Sequence, residues 1–270
     1  MKRFLIFFLL ILFFYISYSD ELHIYQNKNA DYIQTEEFLV ADGTSVLGPI
    51  KLLPFAITEY LKVQPSSQNI KIKAILLEKA YKDWKKSIIG KNISLEGGGR
   101  FIKGKVKAVD KNYIIIDTSR GTIITTLPDF PERLTSILKW DELFSPYILL
   151  KIDSTFSGNS TFDISYQLEN INWIPVYIYN QDKKSLDFFI RIVNHTNINL
   201  NSVNIFLHTK DKLILSLKEA NLEANSTKII KVKTLKTLDR RTILSLPDGK
   251  VGIYSKNSFV GERDLRHLFK

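Results

Sequence analysis

The chain has 270 residues, 38 Lys and Arg against 28 Asp and Glu for a net charge of +10, and 44% hydrophobic residues, a balance that excludes disorder and a fibrous repeat. It contains no cysteine. That removes a disulfide framework, a thiolate metal site, an iron–sulfur cluster, a cysteine nucleophile and a lipid-modified N-terminal cysteine together.

Lys2 and Arg3 precede thirteen apolar or aromatic residues, Phe4 to Ile16, followed by Ser17, Tyr18 and Ser19. These are the three parts of a secretory signal, so residues 1–19 are expected to be an address, with cleavage after Ser19 and a mature start at Asp20. Thirteen helical residues rise only about 20 Å against a hydrocarbon core of about 30 Å. No later segment is apolar enough to span, so no transmembrane segment is expected after cleavage. The mature chain keeps a charge of +8, and export without cysteine suits the periplasm or cell envelope of a bacterium.

From Asp20 to Leu77 short alternating runs (Leu22, Ile24; Tyr32, Ile33, Phe38, Val40; Val46, Ile50, Leu52) predict an N-terminal β region punctuated by Pro49, Pro54 and Pro65. Ile70, Ile72 and Ala74 alternate with Lys71 and Lys73 in one more strand. Ala80, Trp84 and Ile88 then recur at a spacing of four, and Gly90 follows, which predicts a helix over 78–89. Four strands packed into 91–127, with Gly97-Gly98-Gly99 as a tight turn, predict a small barrel of SH3 or Sm type, so 78–127 is expected to be one unit. Pro128, Pro131 and Pro146 mark a linker over 128–146, with a short helix expected near 132–138. From Tyr147 to the end, strands at about eight- to twelve-residue spacing predict an immunoglobulin-like sandwich over 147–270. The fold class is mainly β.

Asp163-Ile164-Ser165-Tyr166, Asn172-Trp173-Ile174-Pro175-Val176-Tyr177 and Val193-Asn194-His195-Thr196 carry a Ser-Tyr pair, a Trp with Tyr four residues on, and an Asn-x-Thr turn. Upstream stand Lys103-Gly104-Lys105-Val106 and Leu127-Pro128-Asp129-Phe130-Pro131-Glu132. Downstream stand Leu246-Pro247-Asp248-Gly249-Lys250-Val251 and Phe259-Val260-Gly261-Glu262. In these motifs and their order the chain resembles a bacterial family of exported proteins known as Domain of Unknown Function four-one-three-nine. The resemblance implies a fold and a compartment rather than a reaction, with Tyr166, Trp173, Pro175, Tyr177, Asn194, Gly249, Gly261 and Glu262 as structural residues. It also implies a shortened member, in which an open sheet edge is left for a partner.

Chemistry is sparse. His195 and His208, thirteen apart, have no carboxylate at ligand spacing, so neither a metal nor another cofactor is expected. Asp129 with Glu132 and Asp141 with Glu142 are the carboxylate pairs that a hydrolase of envelope polysaccharide would use. Gly97-Gly98-Gly99 precedes a strand rather than a helix, which excludes a phosphate loop. Lys103, Lys105 and Lys107 alternate on one strand and share a face, with Lys71 and Lys73 expected beside them, and a second group is Lys228, Lys231, Lys233, Lys236, Arg240 and Arg241. Such faces attract acidic polysaccharide or lipid head groups. Nucleic acid is not expected, because export separates the protein from it and no aromatic stripe interleaves with the lysines. Four Asn-x-Ser/Thr triplets, at Asn92, Asn159, Asn194 and Asn225, are read as chance matches in an Asn-rich chain. The expectation is a non-enzymatic envelope module that binds another envelope protein or an anionic surface.

Overall fold

The structure is a computed structural model that describes residues 19–26, 29–78, 83–129, 131–136, 139–209 and 212–268. The expected signal therefore lies outside the described residues except for Ser19. Among the described residues no helix is long and apolar enough to cross a membrane. Strands dominate throughout, as the period-two patterning requires.

The first five strands are β1 (Glu21–Tyr25), β2 (Ala30–Val40), β3 (Gly43–Lys51), β4 (Ile57–Pro65) and β5 (Ile70–Glu78). They do not form a unit of their own. β11 (Tyr147–Ser154) is the centre of a three-stranded sheet between β3 and β5, and β12 (Gly158–Leu168) lies between β2 and β4. The expected boundary between 20–77 and 147–270 is thus overturned, because, although β1 and β2 pair with each other, each early strand also has a partner from beyond residue 146. β15 (Leu200–Thr209) continues this second layer by pairing parallel to β1, and β16 (Lys212–Leu222) closes it, giving the order β16-β15-β1-β2-β12-β4.

A further five-stranded sheet follows the order β17-β14-β13-β18-β19, built from β13 (Ile171–Asn180), β14 (Ser185–Asn194), β17 (Ser226–Leu235), β18 (Lys250–Ser255) and β19 (Ser258–Asp264). These three sheets share one sandwich-like core that runs from Leu22 to Leu268, with Phe162, Tyr166, Trp173 and Tyr177 as its largest buried side chains. In β12 the alternation is strict: Phe162, Ile164, Tyr166 and Leu168 point in, and their neighbours do not.

Between β5 and β11 lies a smaller lobe. The helix α1 spans only Trp84–Ser87, capped by the Asp83 carboxylate, which accepts from the Lys85 amide. The helix expected over 78–89 is therefore corrected: its first residue belongs to β5, whose strand pairing with β11 runs to Glu78. Lys79 to Lys82 lie outside the described residues. The strands β6 (Asn92–Gly97), β7 (Arg100–Val109), β8 (Tyr113–Thr118), β9 (Gly121–Thr126) and β10 (Arg133–Ser136) take the order β10-β6-β7-β8-β9. The lobe has its own core of Ile88, Ile93, Leu95, Val106, Ile114 and Ile116.

The linker expected over 128–146 is corrected as well. Its helix near 132–138 is replaced by β10, which returns to pair with β6 and completes the small sheet. The four residues of β10, Arg133 to Ser136, carry too little periodicity to announce a strand; the edge of β6 supplies the missing reason. The helix α2 (Trp140–Phe144) then joins the lobes, with Leu143 packed on the small core and the Phe144 ring 5.0 Å from Phe55 of the large body.

Candidate binding surfaces

The motif residues sort into two groups. Trp173, fully buried on β13, shares its indole N–H between the carbonyls of Ile24 and His208, both at 3.1 Å, and so ties the carboxyl-terminal sheet to the β1–β15 seam. The Tyr166 hydroxyl donates to Gln34 Oε1 (3.1 Å) and accepts from the Leu53 amide (3.1 Å). Tyr177 donates to the Pro247 carbonyl at 2.7 Å. Burial pushes both phenols up from their ordinary value, so each stays a neutral donor. A Cβ at Gly249 would meet Pro175 Cγ at 2.9 Å and Tyr177 Cε2 at 3.1 Å, so Pro175, Tyr177 and Gly249 form one contact and the glycine is required by close approach.

Asn194 is wholly buried. Its Nδ2 donates to the carbonyls of Ile198 and Glu223, both at 2.9 Å, and its Oδ1 accepts from the Thr196 amide (2.9 Å) and the Thr196 hydroxyl (2.6 Å). One side chain thus staples two neighbouring loops, and its triplet has no free amide for a glycan. Gly261 and Glu262 differ from the rest of the set: Gly261 has open space beside it, and Glu262 is an exposed partner of Lys250 at 3.9 Å on the edge strand β19.

The basic strand is where the alternation places it. Lys103, Lys105 and Lys107 are exposed on the outer face of β7, while Val106 points into the small core. Strand register adds neighbours that the sequence alone could not: Arg133 and Glu96 stand opposite each other across β10 and β6, Glu96 stands opposite Phe101, and Asp117 stands opposite Lys105. Lys107, at the bulge of β7, pairs with Asp117 at 3.0 Å. The Thr122 hydroxyl and then Lys107 hold the Asp117 carboxyl below its ordinary value. Phe101 and Ile124 leave 69% of their surface exposed on the same face, so it is basic and apolar together. Lys71 and Lys73 lie elsewhere, on β5 of the three-stranded sheet, and Lys73 pairs with Asp153 at 3.2 Å. The two groups of lysines expected side by side therefore occupy separate sheets. Of the second basic group, Lys228, Lys231 and Lys233 line the edge strand β17, Lys231 pairing with Asp187 at 2.9 Å, and Arg240 and Arg241 begin α3 (Arg240–Ser245).

The groups offered for catalysis or metal binding take other places. Glu132 forms a two-point ion pair with Arg100, which also bonds the hydroxyls of Thr125 and Thr126. Arg100 holds the Glu132 carboxyl below its ordinary value, the opposite of what a general acid needs. The turn at Gly97 and Gly98, both at positive φ, presses against the Glu132 side chain, so the three-glycine turn seats this ion pair. Side-chain geometry at Asp141 lies outside the described residues. His208 does not meet His195: its Nε2 lies 3.1 Å from Nδ1 of His23, whose Nε2 lies 3.1 Å from Glu21. Desolvation and then His23 hold the His208 imidazole below its ordinary value. Among the described residues no three His, Asp or Glu side chains are disposed to hold a metal ion.

With the geometry in place, comparison with known proteins adds no relative: no family model, no curated protein and no solved structure matches the chain.

Proposed function

We propose that the protein is an exported, non-enzymatic binding module of a bacterial cell envelope, and that the outer face of the small lobe engages an anionic polymer or lipid surface. The observation that carries this reading is the clustering of Lys103, Lys105, Lys107 and Arg133 around exposed Phe101 and Ile124, with Glu96 and Asp117 as their acidic cross-strand neighbours. A face of this kind attracts anions through its field and adds apolar contact area. The engagement of Glu132 by Arg100 favours the binding reading over a hydrolase that would use Asp129 and Glu132. Export is supported by the basic and apolar amino-terminal run, and by β1 beginning at Glu21, so that a cut after Ser19 keeps the whole β1–β15 ladder from Glu21 to Tyr25 and removes the Ser19 hydroxyl bond to the Ser202 carbonyl.

Finer architecture belongs to the same proposal. The fifth strand of the small sheet returning to its first supports a barrel of SH3 or Sm type, and the packed sheets of the large body support an immunoglobulin-like arrangement. Kinship with the exported family is supported by its motif residues Pro175, Tyr177 and Gly249 meeting in one contact.

The test is retention on an acidic polysaccharide column and on vesicles containing anionic lipid. The triple reversal K103E, K105E and K107E is expected to abolish retention, and added salt to weaken it in the unaltered chain. Unchanged retention of the triple variant removes the idea. In-cell crosslinking with fractionation tests the compartment separately.

A further inference from the structure

Where loops of the large body meet, two cavities of about 370 and 230 Å³ open side by side, with Pro54, Asn197 and Ile198 as their common wall. Asp20 and Gln34 border the first, Phe55 and His195 the second. Together they lie within the size range of small-ligand sites.

The polar groups here are held in place before any ligand arrives. The Asp20 carboxylate accepts from the Tyr32 hydroxyl at 2.6 Å and from the Thr35 amide at 3.3 Å. Gln34 accepts from Tyr166 at 3.1 Å and donates to the Lys51 carbonyl at 3.0 Å. The exposed amides of Asn197 and Asn199 are both gripped by their oxygens: Asn197 Oδ1 accepts from Asn225 Nδ2, and Asn199 Oδ1 from the Ala224 amide, each at 2.7 Å. Among the described residues neither Nδ2 has a partner, so two oriented donors are left for a ligand. Phe55, at φ 60, donates its amide N–H to the Phe144 carbonyl (3.2 Å), packs its partly exposed ring 5.0 Å from the Phe144 ring and lines the second cavity. A bulky residue at that φ is strained, and the surrounding structure maintains it.

Charge narrows the ligand. The Asp20 carboxylate on the wall opposes an anion, and the Asn197 and Asn199 Nδ2 donors offer a cation nothing to bind. What remains complementary is a neutral molecule with many hydroxyls and an apolar face. We propose that this groove binds a neutral saccharide, one or two rings of a glycan, with ring hydroxyls on the Asn197 and Asn199 donors and the Asp20 acceptor, and the C–H face on Pro54 and Phe55. The site is separate from the basic face and stands without it.

The experiment is titration of the purified chain with three neutral probes, cellobiose, maltose and chitobiose, followed by backbone amide NMR. At millimolar probe, shifts are expected to concentrate at Gln34, Phe55 and Asn197 to Asn199. The double variant N197D and N199D, which keeps each acceptor oxygen for Asn225 and Ala224 and removes only the Nδ2 donors, is expected to keep its melting temperature and to bind about tenfold more weakly or worse, since two hydrogen bonds to the ligand are lost. F55G, which relieves the strained backbone as it removes the ring, gives a second, independent loss. The K103E, K105E and K107E chain is expected to bind the saccharide unchanged while losing acidic polymer, which separates failure of the groove from failure of the basic face. No shift with any probe, or binding that survives both groove variants, overturns the proposal.

Discussion

The two lobes reach stable β structure by opposite routes. In the small lobe consecutive strands β6 to β9 are neighbours in space, and only β10 returns to the start. In the large body β1 pairs with β15, so that Glu21 faces Asn204, and β2 to β5 all depend on strands beyond residue 146. A sheet of sequence neighbours closes short loops; a sheet of remote strands must first meet the entropy of closing long ones. The small lobe, with a core of six buried residues, can therefore form locally, whereas the body forms only when both ends of the chain are together.

Trp173→Ala is the largest way to break that contrast. Removing a fully buried indole that bonds Ile24 and His208 is expected to cost about 3–5 kcal/mol, all of it in the body. Hydrogen exchange reads the outcome: amides of β13 and β1 lose protection while those of Leu95, Val106 and Ile116 keep theirs. Equal loss in both lobes would show that they unfold as one unit. Gly104→Ala makes the converse cut. A Cβ there runs into the Asp117 carbonyl and the Ile116 side chain, so forced separation of β7 from β8 is expected to cost about 1–3 kcal/mol in the small lobe alone.

The smallest effect sharpens the picture at the seam. His208 carries a pKa below the ordinary 6.5, so the unfolded chain takes its proton first as pH falls. The stability linked to it is complete above the unfolded value and declines as pH drops from about 6.5 toward the folded value. Urea midpoints measured across that interval should decline on acidification, and His208→Gln should flatten the slope. A steeper decline in the variant would place the protonating group elsewhere.

How much of this was legible in the sequence follows the same division. Alternation of Ile102, Val106 and Ala108 with Lys103, Lys105 and Lys107, and glycines at the turn, outlined the small sheet because its contacts are local. The outward projection of Lys103, Lys105 and Lys107 was legible for the same reason. Nothing local could say that Glu132 would pair with Arg100, or that His208 would meet His23 rather than His195. The groove was illegible altogether, since Asp20, Gln34, Phe55, Glu169 and Asn197 come from five segments with no shared motif.

By itself, then, the sequence determined that this is a mainly β protein, which residues of its strongly alternating strands turn inward, and where tight turns such as Gly97-Gly98-Gly99 fall, because side-chain period and backbone stereochemistry act within a few residues. Which strand lies beside which was decided only in three dimensions. An inward face accepts any partner of matching shape and register, and the choice among partners rests on a single core that Leu22, Ile148, Trp173 and Leu265 enter together.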